Sequence, residues 1–272
     1  MKTKSCVVFA ISIDHGDMLY VLHEFVMLLK YRFSDCKIFV GINYNSHPDV
    51  EVILNQSGLD IVMDRLTDSY LHTASDDSAY QLALKLFYAD PVRYDIAWFI
   101  HTKGGFNGRD VERKLYFHEF FSKRDAIEQK FNELEHLGVY GYRAGEFWVD
   151  HSNPVGPHIT NDFMRAFWHE GPKDDFTCSL SKAIIVETMF ALNASLMYRF
   201  LDRYNEEFFT SKLRRYFFET EISNLLSSRS GYYQGIVTGN WATGASMDPI
   251  IDQWVQENQL IHLENYKNLI KL

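Results

Sequence analysis

Residue types suited to chemistry are concentrated in the segment 94–109, YDIAWFIHTKGGFNGR. The apolar run Ile96–Ile100 leads directly into His101, Lys103 and the pair Gly104-Gly105. A short run of β-branched and aromatic residues closed by glycines predicts a strand that is buried on both faces. Polar residues at the carboxyl end of such a strand stand where open α/β sheets bind ligands. Lys103 beside two flexible glycines suits an anionic group such as a phosphate, although an ordinary turn with solvated side chains is the alternative.

The elements that would position this segment alternate between strands and helices. Apolar runs predict strands, and amphipathic spacing or helix-start residues predict the helices between them. This βαβαβαβ order predicts a largely parallel sheet with helices on both faces. The predicted strands are Cys6–Ile13, Lys37–Ile42, Ile61–Met63 and Ile96–Ile100, and the predicted helices run from about Met18 to Phe33, Pro48 to Gln56 and Ser75 to Tyr88.

The second half of the chain has a less regular pattern. Residues 109–136 are predicted to form one helix broken near Lys123-Arg124-Asp125, or two helices. Without repeats or an obvious linker, the sequence predicts one domain over residues 1–272. The remaining predictions are strands at Val139–Tyr142 and Cys178–Val186, a helical stripe from Leu192 to Tyr204, and helices at Lys212–Leu226 and Pro249–Leu272.

Composition and charge exclude some classes of function. The formal net charge is −9, from 36 acidic and 27 basic residues, which argues against a nucleic-acid-binding surface. Cys6, Cys36 and Cys178 are widely separated within apolar segments, so we predict buried, reduced thiols rather than disulfides or a zinc site. No apolar run approaches the roughly 20 residues of a membrane span, which predicts a soluble, cytoplasmic protein.

The turn after the first strand is Asp14-His15-Gly16-Asp17, which lacks the Gly-x-Gly-x-x-Gly fingerprint of dinucleotide-binding domains. The phosphate-loop pattern Gly-x-x-x-x-Gly-Lys-Ser/Thr does not occur either. A dinucleotide oxidoreductase and a P-loop NTPase are therefore both disfavoured.

The segment YDIAWFIHTKGG resembles the HTKG segment of GT-A-fold glycosyltransferases that build bacterial capsule, O-antigen or rhamnan-like glycans. SDDSAYQLAL at 75–84 and RYFFETEI at 215–222 are similar to those proteins more loosely, and the likeness covers roughly residues 6–226. It implies a GT-A-like (Rossmann-like) α/β fold with a mostly parallel sheet, helices on both faces and a C-terminal helical acceptor region. Residues 1–138 would bind the nucleotide sugar, and residues 139–272 the acceptor.

Many GT-A enzymes hold a divalent metal with Asp-x-Asp at this strand end, where the present sequence has His101 and Lys103. An ammonium can neutralise a diphosphate directly and would repel a metal. The resemblance therefore implies that Lys103 and Gly104 lie at the diphosphate, and it does not by itself imply a Mn²⁺ or Mg²⁺ cofactor. His101 would either bind a metal or donate a hydrogen bond to a phosphate. Asp76 and Asp77 would supply carboxylates for a metal or a ribose, or they simply begin a helix.

Asp14 closes the first strand, where GT-A enzymes often contact the nucleoside, and Asp68 after the third strand is a weaker candidate of the same kind. The RYFFE pattern favours Glu219 as the general base that inversion requires, with Glu221 as the other candidate. Arg215 would lie one helical turn before Glu219 as a diphosphate or carboxylate partner, or these charges form a solvated helix face. The acceptor-binding candidates are Glu146, Trp148 and Asp150. Glu146 and Asp150 are also the alternative bases, and Trp148 would either stack on an acceptor ring or belong to the core.

The sequence thus predicts an enzyme that moves a sugar from a nucleotide-diphosphate-sugar donor to a hydroxyl of a glycan acceptor, inverting with a glutamate base. A sugar-nucleotide nucleotidyltransferase and a non-catalytic nucleotide- or sugar-binding module are the alternatives. The sequence leaves open the donor sugar, the nucleotide base and the oligomeric state.

Overall fold

Seven strands form one sheet in the computed structural model, which describes residues 3–67, 76–102, 113–114, 116–133, 137–144, 184–210, 218 and 231–237. The strand order is β3-β2-β1-β4-β6-β5-β7. Strands β1 to β4 run parallel, β6 is antiparallel to both β4 and β5, and β7 is parallel to β5. The strands are β1 Ser5–Ile11, β2 Lys37–Ile42, β3 Ile61–Arg65, β4 Ile96–His101, β5 Leu137–Ala144, β6 Ile184–Asn193 and β7 Gly231–Val237.

Five α-helices accompany these strands within the described residues. They are α1 Leu19–Arg32, α2 Asp49–Asn55, α3 Asp76–Ala89, α4 Arg124–Glu133 and α5 Ala194–Thr210. A π-helical turn at Tyr116–Phe120 and a 3-10 turn at Phe121–Lys123 precede α4, close to the predicted break. No helix in the described ranges is long and apolar enough to cross a membrane.

The sheet separates two hydrophobic layers. Alternate residues of β1 and β4 face opposite sides, so Val8 and Phe99 join α3 and α5 on one face. Phe9 and Trp98 join α1, α2 and α4 on the other. Every residue of β4 is buried, which confirms the prediction of a strand covered on both faces. The predicted α/β class, with a mostly parallel sheet and helices on both faces, is therefore confirmed.

The predictions for the second half are correct only in part. Leu192 was expected to begin a helical stripe, but it lies in β6 and pairs with Ala97 of β4 and Val139 of β5. The helix begins later because Asn193 acts as its cap: Asn193 Oδ1 accepts hydrogen bonds from the Ser195 amide at 3.1 Å and from its hydroxyl at 2.6 Å. Strand β7 was not predicted. Of the predicted helix at 212–226 only Phe218 is described, and its conformation is helical. The predicted helix at 249–272 and residues 178–183 of the predicted strand lie outside the described residues.

Gly41 lets α3 approach β2 at backbone distance. A Cβ atom at this position would stand 1.9 Å from the carbonyl oxygen of Ala79 and 2.9 Å from the amide nitrogen of Ala83. Both atoms belong to the helix backbone and cannot rotate away. The first turns of α3 are thereby seated directly over the central strands.

Gly41→Ala is expected to destabilise the fold by about 3 kcal/mol, because α3 must shift to admit the methyl group and overpacking of this kind costs up to that amount. Urea denaturation monitored by circular dichroism measures the loss. Gly58→Ala is the control: Gly58 has φ +73° and no atom within 4 Å of the position that a Cβ would take, so the substitution should cost only the ~1 kcal/mol of left-handed backbone strain. Equal losses would show that the close approach of α3 is unimportant.

Candidate functional site

Thr102 joins the carboxyl ends of β1 and β4, although it was not among the predicted site residues. The Thr102 amide donates to the Ala10 carbonyl at 3.2 Å, and its Oγ1 accepts a hydrogen bond from the Ser12 amide at 3.0 Å. Thr102 is buried and follows His101, the last residue of β4. The start of the HTKG segment is consequently held against the end of β1, at the edge where open sheets bind ligands.

The loops after β1 and β2 are joined in the same way. The Ser46 hydroxyl donates to the Ile11 carbonyl and accepts from the Ile13 amide, both at 3.3 Å. The His47 amide donates to the Ile13 carbonyl at 2.6 Å. These bonds place Asp14, which follows Ile13, and Asn45, which precedes Ser46, in adjoining loops of the carboxyl edge.

Arg65, at the end of β3, braces the β2 loop from the outside. Its guanidinium donates to the Ser46 carbonyl at 2.6 Å and to the His47 carbonyl at 3.2 Å. Its Nε donates to Oε1 of Glu51 on α2 at 2.5 Å, and this hydrogen bond holds the pKa of Glu51 below its usual value. Arg65 was not among the predicted site residues, because the third strand was predicted to end at Met63 and a single arginine carries no distinctive signal.

Two acceptor atoms in these loops lack a hydrogen-bond donor. Asp14 Oδ1 and Asn45 Oδ1 are both buried and without a partner within the described part of the chain. The other oxygen of Asp14 lies 3.7 Å from His15 Nε2. Leaving a buried acceptor unpaired is costly, so atoms of this kind at a ligand-binding edge are suited to N–H or O–H donors of a ligand.

The N-terminal part of α3 lies at the same edge, where Tyr80 neighbours His101. The ring of Tyr80 is centred 6.4 Å from the ring of His101, whose side chain points to the α3 side of the sheet and is only 5% exposed. Asp77, one turn earlier on α3, is 4% exposed and accepts a hydrogen bond from the backbone amide of Phe218 at 3.0 Å. Asp76 begins the helix, but its side chain lies outside the described part.

The comparisons with known proteins show no family for this chain. No family model matches it, and no curated protein matches it. Among solved structures, CMP:2-keto-3-deoxy-manno-octonic acid synthetase complexed with CTP aligns with a TM-score of 0.36 and 13% identity, covering 94% of this chain and 100% of that chain. A likeness at this level bears on neither the substrate nor the reaction of this chain.

Three of the predicted site residues, Asp14, His101 and Asp77, thus lie along one edge of the sheet. Their individual roles remain predictions. The other predicted site residues lie outside the described ranges: Asp68, Lys103, Gly104, Glu146, Trp148, Asp150, Arg215, Glu219 and Glu221, together with the side chain of Asp76.

The described residues hold no cluster of three or more His, Cys, Asp or Glu side chains that could bind a metal. Cys6 and Cys36 are buried free thiols, as predicted, and Cys178 lies outside the described ranges. Burial raises the pKa of Cys36 to about 12 and raises that of Cys6 well above its usual value. Neither thiol therefore forms a reactive thiolate near neutral pH.

Proposed function

We propose that this chain is a glycosyltransferase that moves a sugar from a nucleotide-diphosphate-sugar donor to a hydroxyl of a glycan acceptor, with inversion. The observation that supports this function best is the joined carboxyl edge of β1, β2 and β4, because ligands of open α/β sheets bind there. Asp14 and His101 occupy this edge, and the HTKG segment continues directly from it.

The donor half of the proposal rests on Lys103, which follows the anchored Thr102 in the chain. Its ammonium would neutralise the diphosphate as charge develops on it, with His101 as an additional hydrogen-bond donor. Asp14, with an unpaired buried oxygen, would accept hydrogen bonds from the nucleoside. Because the sequence has Lys103 where many GT-A enzymes have a metal-binding carboxylate, the proposed transfer would not require a metal.

The transfer itself replaces one C–O bond of the anomeric carbon with another and moves one proton. The acceptor hydroxyl attacks the anomeric carbon of the donor sugar and passes its proton to the carboxylate of Glu219. The bond between that carbon and the diphosphate oxygen breaks, and its electron pair leaves with the nucleoside diphosphate. Electrostatic stabilisation of this leaving group and general-base catalysis together would supply the rate enhancement.

A thermal-shift panel tests the proposal with UDP, GDP, dTDP, CMP, CTP and the common sugar conjugates, each in EDTA and in Mn²⁺. A ligand at 100 times its dissociation constant stabilises by about 2.7 kcal/mol, which raises the melting temperature by several degrees. We expect one nucleoside diphosphate and its sugar conjugates to produce such a shift in EDTA. Lys103→Met should abolish the shift, whereas Lys30→Met, on the exposed face of α1, should retain it.

Each other result has a distinct meaning. A shift that appears only with Mn²⁺ would retain the transferase and refute transfer without a metal. A shift with CTP and release of pyrophosphate from it in the presence of a sugar would instead indicate a nucleotidyltransferase. No shift with any nucleotide would contradict the proposed function and favour a module that binds another ligand.

A further inference from the structure

A buried hydrogen bond connects Asp77 on α3 to a residue far along the chain. Asp77 Oδ1 accepts the backbone N–H of Phe218 at 3.0 Å, across 141 positions of sequence. Asp77 is 4% exposed and Phe218 is 1% exposed, so the bond lies in the interior. Hydrogen bonds to carboxylates are roughly twice as strong as neutral ones, and burial strengthens them further.

The side chain of Phe218 is also in contact with the core. Its ring is centred 5.2 Å from the ring of Tyr80 and 5.9 Å from that of Phe99 on β4. Tyr80 in turn neighbours His101 at the end of the same strand. Phe218 therefore lies beside the strand end from which the HTKG segment continues.

Asp77 is itself held in place by the contacts of α3. The close approach permitted by Gly41 seats the first turns of the helix on β2, and Gln81 donates a hydrogen bond to the Phe208 carbonyl at the end of α5. A displacement of Asp77 would have to disrupt both contacts. Asp77 can thus fix the position of Phe218 relative to the sheet.

We infer that Asp77 is a positioning residue that fixes the backbone of Phe218 at the carboxyl edge of the sheet. This inference rests on the proposed function, in which Glu219, the residue after Phe218, is the general base. A catalytic group that is misplaced by about 1 Å can lose on the order of 10²-fold in rate. Asp77 would act through this backbone contact rather than by touching the donor or a metal.

Kinetics and hydrogen exchange on the full-length protein test this role. Asp77→Ala removes the acceptor, so we expect kcat to fall about 10²-fold with KM for the donor unchanged, and exchange of the Phe218 amide to accelerate at least about tenfold. Asp77→Asn keeps an acceptor oxygen of the same reach and should restore kcat to within about threefold. Asp202→Ala is the matched control: it removes another hydrogen bond between α3 and α5, from Tyr88 at the far end of α3, and should change neither quantity.

A second variant keeps the test decisive if Asp77→Ala does not fold. Replacing Phe218 with its α-hydroxy acid analogue turns the amide into an ester, which removes the N–H donor and preserves the ring. This variant should reproduce the loss of kcat at unchanged KM.

Several results would overturn the inference. Unchanged turnover or unchanged exchange of the Phe218 amide in Asp77→Ala would show that the hydrogen bond to Asp77 does not position Phe218. Loss of donor binding in both Asp77→Ala and Asp77→Asn would make Asp77 a ligand-binding residue. If the wild type transferred no sugar from any donor in the panel, the proposed function and the positioning role would fail together, whereas wild-type activity with a fully active Asp77→Ala would refute the positioning role alone.

Discussion

Glu219→Gln is expected to lower sugar transfer by about 10³-fold while donor affinity stays within about twofold, because a general base contributes roughly 10²–10⁴-fold and does not hold the donor. The amide has the size of the carboxylate but cannot accept the acceptor's proton. Release of nucleoside diphosphate from the donor identified in the nucleotide panel measures turnover, and titration calorimetry measures affinity.

The control for this experiment is Glu206→Gln, the same replacement at an exposed position of α5. It should leave turnover and affinity unchanged. Glu221→Gln distinguishes the two candidate bases, since residues two apart on a helix face different directions. If Glu221→Gln alone is inactive, the base is Glu221. If Glu219→Gln and Glu221→Gln both turn over like the wild type, neither of these glutamates acts as the base.

Glu128→Ala is expected to destabilise the protein by about 3 kcal/mol, because removing one partner of a buried ion pair leaves the others unsatisfied. Glu128 Oε1 accepts hydrogen bonds from Ser5 Oγ at 2.7 Å, Trp98 Nε1 at 3.2 Å and Arg124 Nε at 2.8 Å. The side chains of Glu128 and Arg124 are only 14% and 9% exposed. One carboxylate therefore joins β1, β4 and α4 at the edge opposite the candidate site.

Arg124 keeps a second partner when Glu128 is removed, which limits the loss. It donates to Asp35 Oδ1 at 2.6 Å and lies over the ring of Phe33. Thermal unfolding should show a melting temperature lower by about 6–12 °C, at roughly 2–4 °C per kcal/mol. Gln129→Ala, at the next and exposed position of α4, should change stability by less than about 0.5 kcal/mol. Equal losses of stability in the two variants would show that the buried carboxylate of Glu128 stabilises the fold no more than an exposed side chain does.

The sequence alone was sufficient for the first half of the fold. The predicted strand Lys37–Ile42 coincides with β2, and the predicted run Ile96–Ile100 differs from β4 only by the inclusion of His101. Local pattern suffices here because parallel strands under helices on both faces are continuously apolar, and the helices between them show their own period. Asp14 and His101 were found for the same reason, since each directly follows such a run.

The second half could not be predicted in the same way. Met189–Leu192 is apolar throughout, and such a run is compatible with either a strand or a helix. Only its pairing with β4 on one side and β5 on the other makes it a strand, and these pairings join residues far apart in sequence. Strand β7 likewise exists through its pairing with β5.

The tertiary structure also decided which side chains support the candidate site. The brace formed by Arg65, the bridge formed by Thr102 and the hydrogen bond from Phe218 to Asp77 depend on the meeting of separate segments. Asp77 illustrates the difference most clearly. Its sequence context predicted a helix start, which is confirmed, or a ligand carboxylate, but gave no sign of its hydrogen bond to a distant backbone amide. Sequence patterns record the period and burial of a local element, but hydrogen bonds across the fold arise only after the elements have packed.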